Sequence, residues 1–200
     1  MPLVVLSHLS HAFRPGHPLF EDLSAHLAAD QVYAVTGPSG SGKTTLLGIL
    51  AGWITATGGT VEYRDVRRVQ WVFQNPHGVS RRTALDHVVI PFIAQGFSRP
   101  QAEILGGELL AEFGLADVAL SPFGSLSGGE AGRLMLARGI AAGSGLLLVD
   151  EPTAQLDRGT ADEVNRSLRA LTDHGVIVVI ATHDPQTAAM CTDVISLAVR

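Results

Sequence analysis

The sequence predicts an α/β fold: a mostly parallel central sheet, an N-terminal antiparallel β subdomain, and an α-helical subdomain inserted in the middle. Three observations predict it. Short apolar runs of strand length alternate with helically spaced runs in the first and last parts of the chain, the pattern of strand–helix–strand units. The glycine-rich stretch Gly37-Pro38-Ser39-Gly40-Ser41-Gly42-Lys43-Thr44 stands between a strand-length run at 32–35 and a helical run at 44–51. Between 74 and 143 the strand signals stop, and they resume at 145–150. The expected organisation is therefore one domain over 1–200, with its α/β core at 1–73 and 144–200 and the helical lobe at 74–143.

Residues 3–6, 19–27 and 32–35 read as strands, separated by the turn formers Arg14-Pro15-Gly16 and the Ala29-Asp30 step. The helix after the glycine loop is expected to end near Gly52. Gly58-Gly59 reads as a turn into an alternating strand at 60–63, and 69–73 as a strand so apolar that burial on both faces is expected. In the lobe, 84–95 and 100–113 are helix candidates edged by Gly or Pro. Residues 145–150 form a fully buried strand ending in acid. A helix follows at 160–173, with Ala161, Val164, Leu168 and Leu171 on one face and Gly175 as its stop. Residues 176–181 make a second buried strand, Asp184-Pro185 opens a short helix with Asp as N-cap, and 194–197 closes the sheet.

Composition narrows the class. Two hundred residues with 46% apolar content can bury a substantial core. A net charge of −5 argues against nucleic-acid binding through phosphate neutralisation. Arg64, Arg67 and Arg68, like Arg81 and Arg82, read as solvated faces. Cys191 is the single cysteine, so neither a disulfide framework nor a cysteine metal site is expected, and the compartment is reducing. His8, His11, His17 and His26 are too spread to read as a metal site. No run is long enough for a membrane span, and the N-terminus lacks the basic start and cleavage site of a secretory signal. The expectation is a cytoplasmic protein, held to a membrane only through a partner.

The loop at 37–44 fits G-x-x-x-x-G-K-[ST], the phosphate-binding pattern of P-loop NTPases, and strand–loop–helix is the context that gives the pattern a mechanism. Glycines let successive N–H groups turn toward phosphate oxygens, and the helix N-terminus adds its positive dipole end. Lys43 would reach the β- and γ-phosphates, and the Thr44 hydroxyl would hold Mg²⁺. Lys43 is the only lysine in the chain. Arginine serves everywhere else, so the compact ammonium is kept where a planar guanidinium would not fit.

Asp150 and Glu151 lie where the strand ending at Val149 runs out. One acid would orient Mg²⁺; the next would hold and polarise the attacking water. His183 follows a strand at the same end of the sheet, beside the expected γ-phosphate, and Gln74 follows the strand at 69–73, within reach of the metal and of the lobe. In Leu126-Ser127-Gly128-Gly129-Glu130, Ser127 and Glu130 form a capping box. Capping leaves Gly128 and Gly129 unexplained, since each costs roughly 1 kcal/mol relative to alanine in a helix. A closely approaching phosphate from another subunit's nucleotide would explain both.

With these residues in place, the chain resembles the nucleotide-binding domain of ABC (ATP-binding cassette) proteins. The ordered set is Gly37 to Thr44, Gln74, Leu126 to Glu130, the strand-end acids Asp150 and Glu151, Ala154-Gln155-Leu156-Asp157 and Thr182-His183-Asp184. The resemblance implies a head-to-tail dimer, with two ATP molecules sandwiched between one copy's phosphate loop and the other's Ser127-Gly128-Gly129 signature. It makes Glu151 the catalytic base, with His183 and Lys43 acting on the γ-phosphate. Mg²⁺ would be held by Thr44, Gln74 and Asp150. Gln74 would also couple to the lobe, and Asp157 would lie at the dimer interface. The nucleotide set then comprises Phe13, stacked on adenine, Gly37 through Thr45, Gln74, Ser127, Gly128, Gly129 and Asp157. The partners implied are a membrane-spanning permease and a second copy or a paralogue. Asp150-Glu151-Pro152-Thr153, the stretch 83–88 and 181–185 look most like the lipoprotein-release, peptide-export and cell-division branch of the bacterial proteins.

Three departures stand out. Glu130 and Gly132 replace the Gln residues usual in the family, and Glu130 brings negative charge toward a triphosphate. The link at 63–68 is much shorter than usual, so the antiparallel edge should be trimmed. The chain ends at Arg200, so no C-terminal regulatory domain is expected. Two other readings share the motif set: a mechanical switch acting on a division or cell-wall partner without moving a solute, and a non-hydrolysing subunit, against which the intact Lys43, Asp150, Glu151 and His183 argue. A small-molecule P-loop kinase gives no reason for Ser127-Gly128-Gly129.

Overall fold

A computed structural model describes residues 1–197. Two sheets carry the chain. The smaller is antiparallel, in the order β2-β1-β4, with β1 at Leu3–His11, β2 at Phe20–Ala28 and β4 at Gly58–Arg64. The larger is parallel throughout, in the order β5-β6-β7-β3-β8. Its strands are β3 at Gln31–Thr36, β5 at Val69–Val72, β6 at Leu146–Asp150, β7 at Ile177–Ala181 and β8 at Asp193–Ser196.

The helices are α1 at Lys43–Leu50, α2 at Ala84–Ala94, α3 at Arg99–Glu112, α4 at Gly128–Ala141, α5 at Arg158–Ala170 and α6 at Pro185–Ala189. The elements α2, α3 and α4 all fall between β5 and β6. This is the mostly parallel P-loop architecture with an antiparallel sheet and helices that the sequence predicts. Among the described residues, no helix is long and apolar enough to cross a membrane.

The central strands divide two cores between their faces. Leu147 and Val149 of β6 join Val178 and Ile180 of β7 on the side of α4 and α5, with Leu134, Leu136, Val164 and Leu168. Leu146, Leu148, Ile177 and Val179 face the other way, onto Leu46 and Leu50 of α1 and Val4 and Leu6 of β1. Burial on both faces is why β6 and β7 read as unbroken apolar runs.

Several expectations shift. The strand expected at 3–6 continues to His11, because a bulge with His8 at φ 50° carries the chain past Ser7. Gly58 and Gly59 are strand residues, not a turn. Gly59 has φ 76°, and a Cβ there would run into the His8 carbonyl, so the glycine answers the bulge across the ladder. The strand expected at 69–73 is not buried on both faces. β5 is an edge strand paired only with β6; Gln70 and Phe73 are exposed, and Trp71 stacks between Trp53 and Phe73 at 4.8 and 5.4 Å. Its aromatics read as core but form an exposed stack.

The helix expected at 160–173 starts at Arg158, capped by Asp157, and tightens into a 3₁₀ turn at Leu171–His174 before Gly175 at φ 67°. β8 begins one residue early, at Asp193. β4 passes to β5 through residues 65–68 alone, in keeping with the short link. The chain end at Arg200 lies outside the described residues.

Leu148 is fully buried in the middle strand pair. Leu148→Ala should lower unfolding free energy by about 3 kcal/mol in urea titration, the cost of an unfilled core cavity.

Candidate functional site: a phosphate cleft and a separate helix N-terminus

Parallel β3, β6 and β7 all end on one side, so their next residues meet there. β3 leads into the glycine loop, β6 into Asp150 and Glu151, and β7 into Thr182 and His183. An open cleft of about 390 Å³ lies against this loop, lined by Phe13, Ser39, Gly40, Lys43, Thr45 and Glu151, together with Gly42 and Thr44.

The loop is shaped by its glycines. Gly37 has φ 150°, and a Cβ there would sit 2.6 Å from the Leu197 carbonyl and 2.6 Å from Ser41 Oγ. At Gly40, φ 81°, a Cβ would meet nothing within 4 Å, because the residue faces open space. Lys43 Nζ donates to the carbonyls of Gly37 at 2.9 Å and Pro38 at 3.3 Å, which holds the loop in its turned form.

The start of α1 is the chemically open feature. Its N-cap is Gly42 at φ 97°, with no side-chain cap and no acid in the first turn. The helices α2, α4, α5 and α6 are each capped by a side chain, from Thr83, Ser127, Asp157 and Asp184. The orphan N–H groups of α1 are thus left for an external anion. Ser41 Oγ is also buried without a partner among the described residues. These features fit a nucleotide's phosphates.

The acids sit beside this loop. Thr44 Oγ1 donates to Asp150 Oδ1 at 3.3 Å. Burial pushes the Asp150 carboxyl above its ordinary range, and the charge of Glu151 adds to this; Thr44 and Lys43 pull the other way. A hydroxyl and a half-buried carboxylate are the hard oxygen donors Mg²⁺ takes, and a cation would relieve the cost of burying that charge. Glu151 holds the left-handed conformation, φ 47°, unusual for a side chain of its size, and its N–H bonds the Ala181 carbonyl at 2.8 Å. That turn aims its carboxylate at His183, whose Nδ1 lies 2.8 Å from Glu151 Oε2. Phe13 is no core residue: it is 67% exposed, lines the cleft, and rests edge-on against His11 at 4.7 Å.

Other expected residues lie elsewhere. Gln74 is not on the cleft. It lines a second crevice of about 170 Å³ with Gly128, Gly132, Pro152, Gln155 and Leu156, and no hydrogen bond among the described residues joins it to Thr44 or Asp150. Ser127 caps α4: Glu130 N–H donates to its hydroxyl at 3.3 Å, and Ser127 returns its N–H and its hydroxyl proton to Glu130 Oε2 at 2.7 and 2.8 Å. Those two bonds, backbone first, hold the Glu130 carboxyl below its usual range. Asp157 caps α5 through Thr160, and those bonds lower its carboxyl in the same way.

The two signature glycines turn out to differ. Gly128 is exposed. Gly129 is buried, and a Cβ on it would collide with the Thr160 methyl of α5. Packing between α4 and α5 therefore accounts for Gly129 without any phosphate, and only Gly128 keeps its backbone open for one.

Sequence reasoning missed a polar cluster behind the acids. The hydroxyl of Thr187 lies 3.0 Å from Asn165 Oδ1, 2.6 Å from Asp184 Oδ2 and 3.2 Å from Thr153 Oγ1, with Asn165, Thr153 and Thr187 all buried. It ties α5 and α6 to the turn after Glu151, and so fixes where the acids and His183 stand. Its residues come from three separate segments, so no sequence spacing marked it.

Gly129→Ala should destabilise the fold by about 1–3 kcal/mol through overpacking. Adding Thr160→Ser, which removes the methyl and keeps the hydroxyl for Asp157, should restore most of it in a thermal double-mutant cycle.

Comparison with known proteins bears on the family and the fold. A family model described as ABC transporter matches residues 20–154. The chain is 35% identical over 213 aligned positions to the macrolide export ATP-binding/permease protein MacB of Salmonella typhimurium strain LT2, and 35% over 214 to that of Escherichia coli strain K12. Each alignment covers 98% of this chain and 33% of the relative, so the chain spans about a third of those proteins' length. Among solved structures, an ATP-binding cassette in a dimeric post-hydrolysis state with ADP and Pi superposes with TM-score 0.79 at 26% identity, covering 97% of this chain and 94% of that one. The cbiO1 protein of Clostridium perfringens, part of the transporter complex cbiONQ, superposes with TM-score 0.85 over 97% of this chain and 84% of its own; at 21% identity it shows the fold. On the family match, the relatives and the shared architecture together, this chain belongs to the ABC transporter family, as one of its ATPase domains.

Proposed function

We propose that the chain binds ATP in the cleft and hydrolyses it between two copies, energising a membrane permease from the cytoplasmic face. One observation carries this: the phosphate cleft and the open start of α4 do not meet within one chain. The cleft is lined by the start of the uncapped α1 and by Glu151, which meets His183, but by no residue of α4, while Ser127 and Gly128 stand exposed at a separate helix start. Two copies placed head to tail would bring each open cleft against the other's α4.

In this reading the α1 N–H groups and Lys43 bind the β- and γ-phosphates, and Phe13 stacks on the base. Glu151 accepts the proton of the attacking water, and His183 orients it and contacts the γ-phosphate. Lys43 would exchange its loop carbonyls for phosphate oxygens. Thr44 and Asp150 would hold Mg²⁺, which would supply charge neutralisation on the phosphates, and Gln74 would join them only once the lobe brings it to the cleft. The partner copy contributes Ser127 and Gly128, and Asp157 lies near that contact. The lobe at 74–143 moves against the core at 1–73 and 144–200 and passes the motion to the permease through the groove near Gln74. The relatives' names join an ATP-binding to a permease part, which supports a membrane partner.

Glu151→Gln should reduce hydrolysis by about 10²–10⁴-fold and let ATP-bound dimers accumulate, read by light scattering. Monomers in saturating ATP would contradict the two-chain site. Lys43→Ala should lose nucleotide binding in calorimetry; an unchanged affinity would defeat the cradle.

A further inference from the structure

The base end of the cleft rests on an exposed loop. Residues 12–19 join β1 to β2, and those from Phe13 to Pro18 are all exposed. The loop is pinned at its root, where the Leu19 N–H donates to the His11 carbonyl at 2.8 Å and the Ala12 N–H to Thr57 Oγ1 at 3.2 Å. Further out it closes on itself, with the His17 N–H on the Arg14 carbonyl at 3.1 Å. These bonds fix the backbone and leave the Phe13 side chain untouched. Among the described residues, the one ring against Phe13 is that of His11, nearly perpendicular to it with centroids 4.7 Å apart.

His11 is itself out of place. It is 4% exposed, and neither ring nitrogen has a hydrogen-bond partner among the described residues. Burying an unpartnered imidazole costs stability that leucine or phenylalanine at the same place would not. Its ring neighbours are Phe13 and the buried Phe20, its partner across the β1–β2 ladder, at 6.4 Å. Aromatic faces are weak acceptors for a ring N–H, and they are what this site offers. In a perpendicular pair the edge of one ring meets the face of the other, so Phe13 keeps at least one face free. A ring on a loop, left alone, turns among rotamers and loses that freedom when a base stacks on it; a ring already fixed has less freedom to lose.

The same wall continues to the phosphate loop. A Cβ on Gly42, the N-cap of α1, would stand 3.2 Å from the Phe20 ring. Phe13, His11, Phe20 and Gly42 thus run in contact from the exposed ring to the helix start. Packing, and not the loop, sets the span between the two ends of the cleft.

We propose that His11 is a positioning residue for the nucleotide: buried behind Phe13, it holds that ring in its perpendicular setting, so that the base stacks on a preset surface at a fixed reach from α1. This rests on the reading of Phe13 as the platform for the base, and it names what orders that platform.

The test compares two ligands that share phosphates and differ in the base, magnesium ADP and magnesium pyrophosphate, titrated by calorimetry into the full chain. Neither carries a γ-phosphate, so binding is read without hydrolysis. Phe13→Ala should weaken ADP about tenfold and leave pyrophosphate unchanged, the loss of a base–aromatic stack. His11→Leu fills much of the same volume without a ring or a polar atom. It should weaken ADP about three- to fivefold, spare pyrophosphate, and melt no lower than the wild type, since an unpartnered polar group is gone. His11→Phe, which keeps a ring edge for Phe13, should recover most of the ADP affinity. In a Phe13→Ala background, His11→Leu should have no further effect. The ligand ratio and the double variant decide even where His11→Phe packs poorly. Equal loss of both ligands in His11→Leu would overturn the proposal, because it would mark a general role in the wall. So would losses that add in the double variant. An ADP affinity that falls in Phe13→Ala but not in His11→Leu would sink this inference and leave the platform standing. An ADP affinity unchanged in Phe13→Ala would remove the platform and the inference together, and a wild type that binds neither ligand would defeat the phosphate cleft along with both.

Discussion

The structure depends on a helix that its own chain does not finish. α1 begins at Gly42 with its first N–H groups lacking any side-chain acceptor, and the loop before it is held open by three glycines in left-handed conformations. Unsatisfied donors at a helix start cost stability wherever water is poorly ordered around them, so the arrangement persists only because much else fixes it. β3 is locked between β7 and β8. Leu46, Leu47 and Leu50 anchor α1 onto the core. The Leu197 carbonyl closes over Gly37 from the next strand. The surrounding packing supports a local deficiency, and that deficiency is what makes the site bind.

α4 shows the opposite solution at the same kind of place. There the chain supplies its own anion: the Glu130 carboxylate takes both the Ser127 N–H and the Ser127 hydroxyl proton, and those bonds keep it ionised. On the proposed head-to-tail arrangement, a partner's γ-phosphate approaching α4 would meet a helix start whose serine hydroxyl is already donating and whose nearest charge is negative. An amide at that position would keep the reciprocal cap without the charge. Local helix stability and the proposed capture of a second chain's nucleotide therefore make opposite demands on Glu130. In the proposed two-copy site, the self-sufficient cap would weaken the contact between the copies.

How much of this was legible follows from what each signal depends on. The phosphate loop, the strand-end acids and His183 could be read because consecutive residues define them: glycines that must turn, a strand that runs out, and a parallel sheet that stacks its ends on one side. The buried strands at 146–149 and 177–181 were legible for the same reason. What failed to show depends on a second segment that sequence spacing does not bring near. Gly59 is required by the bulge at His8, many residues away along the chain. Gly129 is required by a methyl of Thr160, so it looked like a ligand site when it is partly a packing site. The apolar run at 69–73 gave no hint that it lay on an edge, because an aromatic stack and a buried face have the same composition. The cluster of Asn165, Thr187 and Thr153 joins three elements and has no local pattern at all.

That edge strand also sets how the lobe side can reach the cleft. β5 has one neighbour, and the register pairs Trp71 with Leu148 and Val72 with Val149. One residue further on, β6 delivers Asp150 and then Glu151, while β5 delivers Phe73 and then Gln74. The outer face of β5 carries the aromatic stack that ends at His77. A displacement of that stack is separated from Asp150, the carboxylate proposed to hold the metal, by a single pair of hydrogen-bonded strands. Close-packed interiors transmit such displacements rather than absorb them. Gln74 is exposed and, among the described residues, makes no hydrogen bond to the cleft; in the proposed cycle it is the first residue on that path able to change partners.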